Sequence, residues 1–162
     1  MEGLIQNLDL SAKGIWFPIL LGIISLLYML FMPKHISWKV IYLTFCVGGF
    51  MAILFDVIIM SGWIDVFDLG QAKLPGLGDL ICYSVIAPCY AVIFLNYYQS
   101  ERKWMPVVLF TLLSFLSEWM LVKVGYMKLK GWNTWWSLPV YFLIFGFWLP
   151  WHIRLIRKAS EN

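Results

Sequence analysis

Five stretches of about twenty mostly apolar residues, parted by polar connectors, constrain this chain more than any other feature: 15–32, 40–60, 80–98, 104–122 and 135–153. A helix rises about 1.5 Å per residue, so about 20 such residues match the roughly 30 Å hydrocarbon of a bilayer. The pattern predicts an all-α fold, a polytopic transmembrane helix bundle of five spans.

Composition agrees with that expectation. Hydrophobic residues make up 62% of the 162 and charged residues only 13%, with a mean hydropathy of +0.79. So short a chain cannot hide that much apolar surface inside itself, so the excess needs lipid or partner subunits as its solvent. One membrane domain, 1–162, is expected, with the lipid bilayer as partner and a homo-oligomer or larger membrane complex as further cover. Residues 1–14 carry Glu2 and Asp9 and lack a basic n-region and a cleavage site, so no cleaved signal peptide is expected. Leu4, Ile5, Leu8 and Leu10 fit a short surface helix or an unstructured tail. Cys46, Cys82 and Cys89 lie within apolar runs without Cys-x-x-Cys spacing and report no redox compartment.

Three connectors are short, whereas 61–79 is long, holds Asp65, Asp68, Lys73, Pro75 and glycines, and also carries Trp63, Ile64, Val66 and Phe67. It is expected to lie in the interface as a lid. Tryptophans near the span ends fit rings anchored at headgroup level. With five spans, the N-terminus, 61–79 and 123–133 share one face. Lys34, Lys39, Arg102, Lys103, Arg154, Arg157 and Lys158 fall on the other face, which therefore holds every arginine. The positive-inside rule puts that face in the cytoplasm, with the N-terminus outside and the C-terminus inside a cell membrane.

Acids inside hydrocarbon are costly unless they face the bundle interior, a partner or water. Asp56 and Glu118 lie near the outer ends of the second and fourth runs, Asp79 opens the third, and Ser137 and Tyr141 open the fifth. Residues three and four apart on a helix lie above one another. Gly48, Ala52 and Asp56 form one stripe, with small residues that permit close helix approach. Thr111, Ser114 and Glu118 form a second; Asp79, Tyr83, Ala87 and Tyr90 a third; Ser137 and Tyr141 a fourth. These converge on one expected pocket, with Asp56, Asp79, Tyr83, Glu118, Trp136, Ser137 and Tyr141 as candidate ligand-binding residues. The plainer alternative is that each acid is satisfied by hydroxyl or indole donors and only locks the bundle.

His35 and His152 lie away from the acids, which argues against a His and carboxylate metal site. No phosphate-cradling loop, nucleophile elbow or nucleic-acid motif is present, and no cofactor is expected. Pro18, Pro88, Pro139 and Pro150 are expected to start or bend helices. The basic segment 154–158 reads as a lipid-headgroup anchor.

Phe55-Asp56, the 115–119 segment with Glu118, and Trp132-x-x-Trp135-Trp136-Ser137-x-Pro139-x-Tyr141 together resemble an uncharacterised family of small polytopic membrane proteins from spore-forming Gram-positive bacteria, over roughly 38–155. The resemblance implies a bacterial membrane bundle and supplies no reaction. The functional expectation is a non-enzymatic membrane protein whose outward carboxylate and aromatic pocket binds or senses a cation, a proton or a small amphiphile. Its alternatives are a membrane enzyme using acid catalysis on a lipid or isoprenoid, and an accessory subunit of a complex.

Overall fold

The computed structural model describes residues 8–55, 65–71 and 76–161. The fold is all-α apart from one short strand pair. Its helices are α1 (Trp16–Phe31), α2 (Trp38–Leu54), α3 (Leu77–Tyr97), α4 (Trp104–Lys123) and α5 (Thr134–Ala159), the last running on helically to Glu161. Each overlaps one of the five apolar runs, and all but α1 extend beyond its bounds. Three of them, α3, α4 and α5, are long and apolar enough to cross a membrane. The expectation of five spans is met only to that extent. α1 has 16 residues and the described part of α2 has 17, about 24 to 26 Å at 1.5 Å per residue, short of a full hydrocarbon thickness.

Local signals explain the helix ends. Pro18 stands in the first turn of α1 and Pro139 in the first turn after Ser137, where a missing N–H costs nothing. Ser37 caps α2 by accepting from the Val40 amide. Pro88 and Pro150 lie inside longer helices, and each follows a π-helical segment, Cys82–Ile86 and Ile144–Trp148. A proline ring clashes with the carbonyl four residues back, and the wider turn relieves that clash. The Ala87 and Leu149 amides accordingly reach back to the carbonyls of Cys82 and Ile144. The sequence foretold bends here but not their π form.

α3 is the axis of the bundle, in contact with α1, α2, α4 and α5. Cys89, Val92, Phe94 and Leu95 are essentially inaccessible, and Phe94 meets the rings of Tyr98, Phe110 and Phe145 with centroids 5.1 to 5.7 Å apart. Gly48 and Gly49 bring α2 against α3, where a Cβ at Gly48 would touch Pro88 at 3.5 Å and one at Gly49 the Tyr83 carbonyl at 3.7 Å. Of the stripe Gly48, Ala52 and Asp56, Gly48 lies in this contact, and Asp56 is outside the described residues. The outward sides of the helices stay apolar: Val108, Leu109, Leu112 and Leu116 of α4 are exposed, as are Ile23, Leu27 and Phe31 of α1. Such a surface suits lipid, since tails and side chains are equally apolar and helix association there rests on packing and interhelical hydrogen bonds.

At one end of the bundle, β1 (Phe67–Leu69) pairs antiparallel with β2 (Met127–Leu129), with Asp68 opposite Lys128. The Val66 carbonyl accepts from the amides of Lys130, Gly131 and Trp132, and Lys130 bridges Asp65 and Asp68 at 2.8 and 2.9 Å. The Leu8 carbonyl accepts from the Leu77 amide, and Asp9 accepts from the Gln71 amide at 2.6 Å. The N-terminal segment, the long connector and the 123–133 loop thus meet on one face, as the parity argument required. Within the connector expected as an interfacial lid, Phe67–Leu69 forms a strand, and Trp63 and Ile64 fall outside the described residues.

Candidate functional site

Glu118 is held by the start of the neighbouring helix. Asn133 accepts from the Trp135 amide through its side chain and from the Trp136 amide through its carbonyl, which winds 134–136 into a tight turn and delivers Ser137 to the first position of the α-helix. Ser137 and Tyr141, one turn apart, then face the last turns of α4. The Ser137 hydroxyl donates to Glu118 Oε1 at 2.7 Å and the Tyr141 hydroxyl donates to Oε2 at 2.7 Å. Trp132 Nε1 donates to Ser137 Oγ at 2.8 Å. An indole N–H can only donate and an ionised carboxylate can only accept, so with Glu118 ionised the chain runs from Trp132 to Ser137 to Glu118.

The stripe inferred for α4 is the buried one. Thr111, Ser114 and Glu118 are all buried, Glu118 at 8% exposure. The preceding residue, Ser117, shares a 3.0 Å hydrogen bond with Tyr90 of α3 and donates to the Leu113 carbonyl. At the end of α4, Lys123 stacks over Trp119 with its ammonium 5.3 Å from the ring centroid.

Asp79 belongs to a second cluster. Its Oδ1 accepts from the Tyr126 hydroxyl at 2.6 Å and its Oδ2 from the Gly76 amide at 2.8 Å, so it caps α3 from inside the first turn. Gly125 makes this possible. With φ +80 it ends α4 in a Schellman turn, its amide bonding to Val122 and that of Tyr126 to Leu121, which throws Tyr126 back over the start of α3. Tyr126 is fully buried. Burial, then the Asp79 carboxylate it donates to, pushes the phenol far above its ordinary range and keeps it protonated. Gly78 leaves the space that the Tyr126 hydroxyl fills.

The structure therefore unites Glu118, Ser137 and Tyr141 and assigns Asp79 to a neighbouring network with Tyr126. Tyr83 lies half-buried in the π segment of α3, with its backbone toward Gly49. Trp136 is 55% exposed and touches Trp132 edge-on at 5.7 Å. The indole that reaches the node is Trp132, four residues earlier. Asp56 lies outside the described residues. Sequence reasoning missed Trp132, Tyr126 and Asp9; the Gly125-Tyr126 pair directly after α4 was the available signal for Tyr126.

Chemically, the Glu118 node has an unusual property for a buried carboxylate: its partners are hydroxyls and not cations. A hydroxyl can donate to a carboxylate or accept from a carboxylic acid, so the node can be satisfied in either protonation state. Ser137 Oγ spends one lone pair on Trp132 and keeps a second, so Ser137 and Tyr141 can each turn from donor to acceptor when the acid is protonated. Comparison of the chain with family models, with curated proteins and with solved structures finds no match.

Proposed function

We propose that this chain is a small multi-pass integral membrane protein of a bacterial cell envelope, and that its outward carboxylate and aromatic node, centred on Glu118, senses protons. Membrane residence is supported by three helices of spanning length and by the apolar outer surface of α1 and α4. In this reading α1 and α2 cross as well, so the bilayer thins or the chain tilts around them. The N-terminus lies outside and the arginine-bearing face lies in the cytoplasm. The bacterial setting rests on the segment around Trp132 and Tyr141 described above.

The observation that carries the proton reading is the pair of 2.7 Å hydroxyl contacts to the two oxygens of Glu118. A fixed cation there would hold the carboxylate ionised. A serine and a tyrosine leave it free to take up a proton when the hydrogen of either hydroxyl turns away and a lone pair accepts. Both Glu118 oxygens are taken up by hydroxyls of the protein itself, so a proton suits the node better than an amphiphile.

Proton uptake after a pH step, followed with an indicator dye on purified protein in lipid vesicles, tests the reading. The wild type should bind one proton more per chain than Glu118→Gln across the titration. Equal uptake by the two would refute it.

A further inference from the structure

At the end of the bundle opposite the node, between the beginning of α4 and the π segment of α5, runs a groove of about 710 Å³. Its lining is largely apolar and aromatic, with Leu143, Phe147 and Trp148 beside Gly146, and it includes the cations Lys103 and Arg154 and the ring of Tyr98. Trp104 closes one side by stacking on Phe142 at 5.9 Å, nearly parallel.

Three features say what this groove takes. Its lining includes two cationic side chains and no acid. The ion pairs among the described residues are those of Lys130 at the other end of the molecule, so neither Lys103 nor Arg154 is ion-paired to a described acid. Lys103 also sits at the first turn of the 20-residue α4, where unpaired amides add partial positive charge, and its ammonium lies 4.9 Å over the Trp104 ring. A largely apolar lining with two cations complements a molecule with a hydrocarbon tail and an anionic head. Its volume falls within the range of built ligand sites, roughly 300 to 1,000 Å³.

We propose that this groove is a binding site for one anionic phospholipid, with an acyl chain along Leu143, Phe147 and Trp148 and the phosphate between Lys103 and Arg154. The proposal rests on the membrane reading above and on nothing at the Glu118 node. The lipid would brace α4 against α5 at the level where both helices leave the apolar layer.

Delipidated full-length protein in detergent, titrated with phosphatidylglycerol or with phosphatidylcholine of the same acyl chains and examined by native mass spectrometry, tests it. Phosphatidylglycerol should be retained preferentially. Lys103→Gln and Arg154→Gln should each weaken that preference about fivefold, the double variant more, while Lys128→Gln at the far end leaves it unchanged. Inorganic phosphate should not displace the lipid. Equal retention of the two lipids, an undiminished preference in a double variant that still melts like the wild type, or displacement by phosphate alone would overturn the site. Release of the protein from membranes by alkaline carbonate would instead overturn the membrane reading on which it stands.

Discussion

Tyr141 on α5 donates its hydroxyl to Glu118 Oε2 on α4 at 2.7 Å, so the only acid described in the fourth apolar run is tied to the fifth helix by a group that can also accept. Glu118→Gln keeps that arrangement. The amide oxygen can still accept from Ser137, and the amide nitrogen can donate to Tyr141, as a protonated acid would. Glu118→Ala leaves both hydroxyls and the Trp132 chain without their acceptor. Thermal melting in detergent should place the glutamine variant within about 1 kcal/mol of wild type and the alanine variant about 1 to 3 kcal/mol below it.

The cap formed by Asp79 and Tyr126 should behave as a coupled pair. Tyr126→Phe strips one donor from a buried carboxylate, and Asp79→Asn removes the charge that the donor serves. Each single change should cost about 1 to 3 kcal/mol, and a double-mutant cycle should return a coupling of about 1 kcal/mol or more.

Alkaline pH should act through the same tyrosine. Its folded-state pKa is raised above the unfolded value of about 10, so the native state keeps a proton that the unfolded chain loses. The stability this contributes is complete below about pH 10 and declines as pH rises beyond it. Melting temperature should therefore fall above pH 10 more steeply in the wild type than in Tyr126→Phe.

The contact between α2 and α3 should tolerate a methyl and little more. Gly48→Ala meets Pro88 at an ordinary 3.5 Å, whereas Gly48→Leu must push the helices apart and should cost about 1 to 3 kcal/mol.

Sidedness can be read by labelling. Lys128→Cys beside β1 and Lys158→Cys at the other end of the bundle should react with a membrane-impermeant thiol reagent from opposite sides of sealed vesicles, position 128 from the outside of the cell. Reaction from the same side would break the five-crossing arrangement.

What the sequence disclosed and what it hid divide along the range of the interactions. Helical periodicity alone placed Thr111, Ser114 and Glu118 on one buried stripe, Gly48 on a contact face, and Ser137 with Tyr141 on another, because those relations repeat every three or four residues. The union of Glu118 with Ser137 and Tyr141 followed from span parity. The three-residue strands β1 and β2 are too short to carry an alternating pattern, and each is defined by a partner about sixty residues away. Asp79 was drawn to the wrong network for a similar reason: its donor, Tyr126, is placed by the backbone reversal at Gly125, which no side-chain spacing encodes. Trp136 and Trp132 were indistinguishable as interfacial rings until the turn at Asn133 fixed which one faces inward. The shortness of α1 lay within the uncertainty of any apolar run, since residues flanking a helix are as hydrophobic as those inside it.

The most direct test of the account is the infrared difference spectrum of the purified protein between alkaline and acidic buffer. It should contain the carbonyl band of a newly protonated, buried carboxylic acid, absent in Glu118→Gln and displaced in Tyr141→Phe, where one reversible hydroxyl is gone. An identical band in wild type and Glu118→Gln would contradict the claim that Glu118 is the group that takes up the proton.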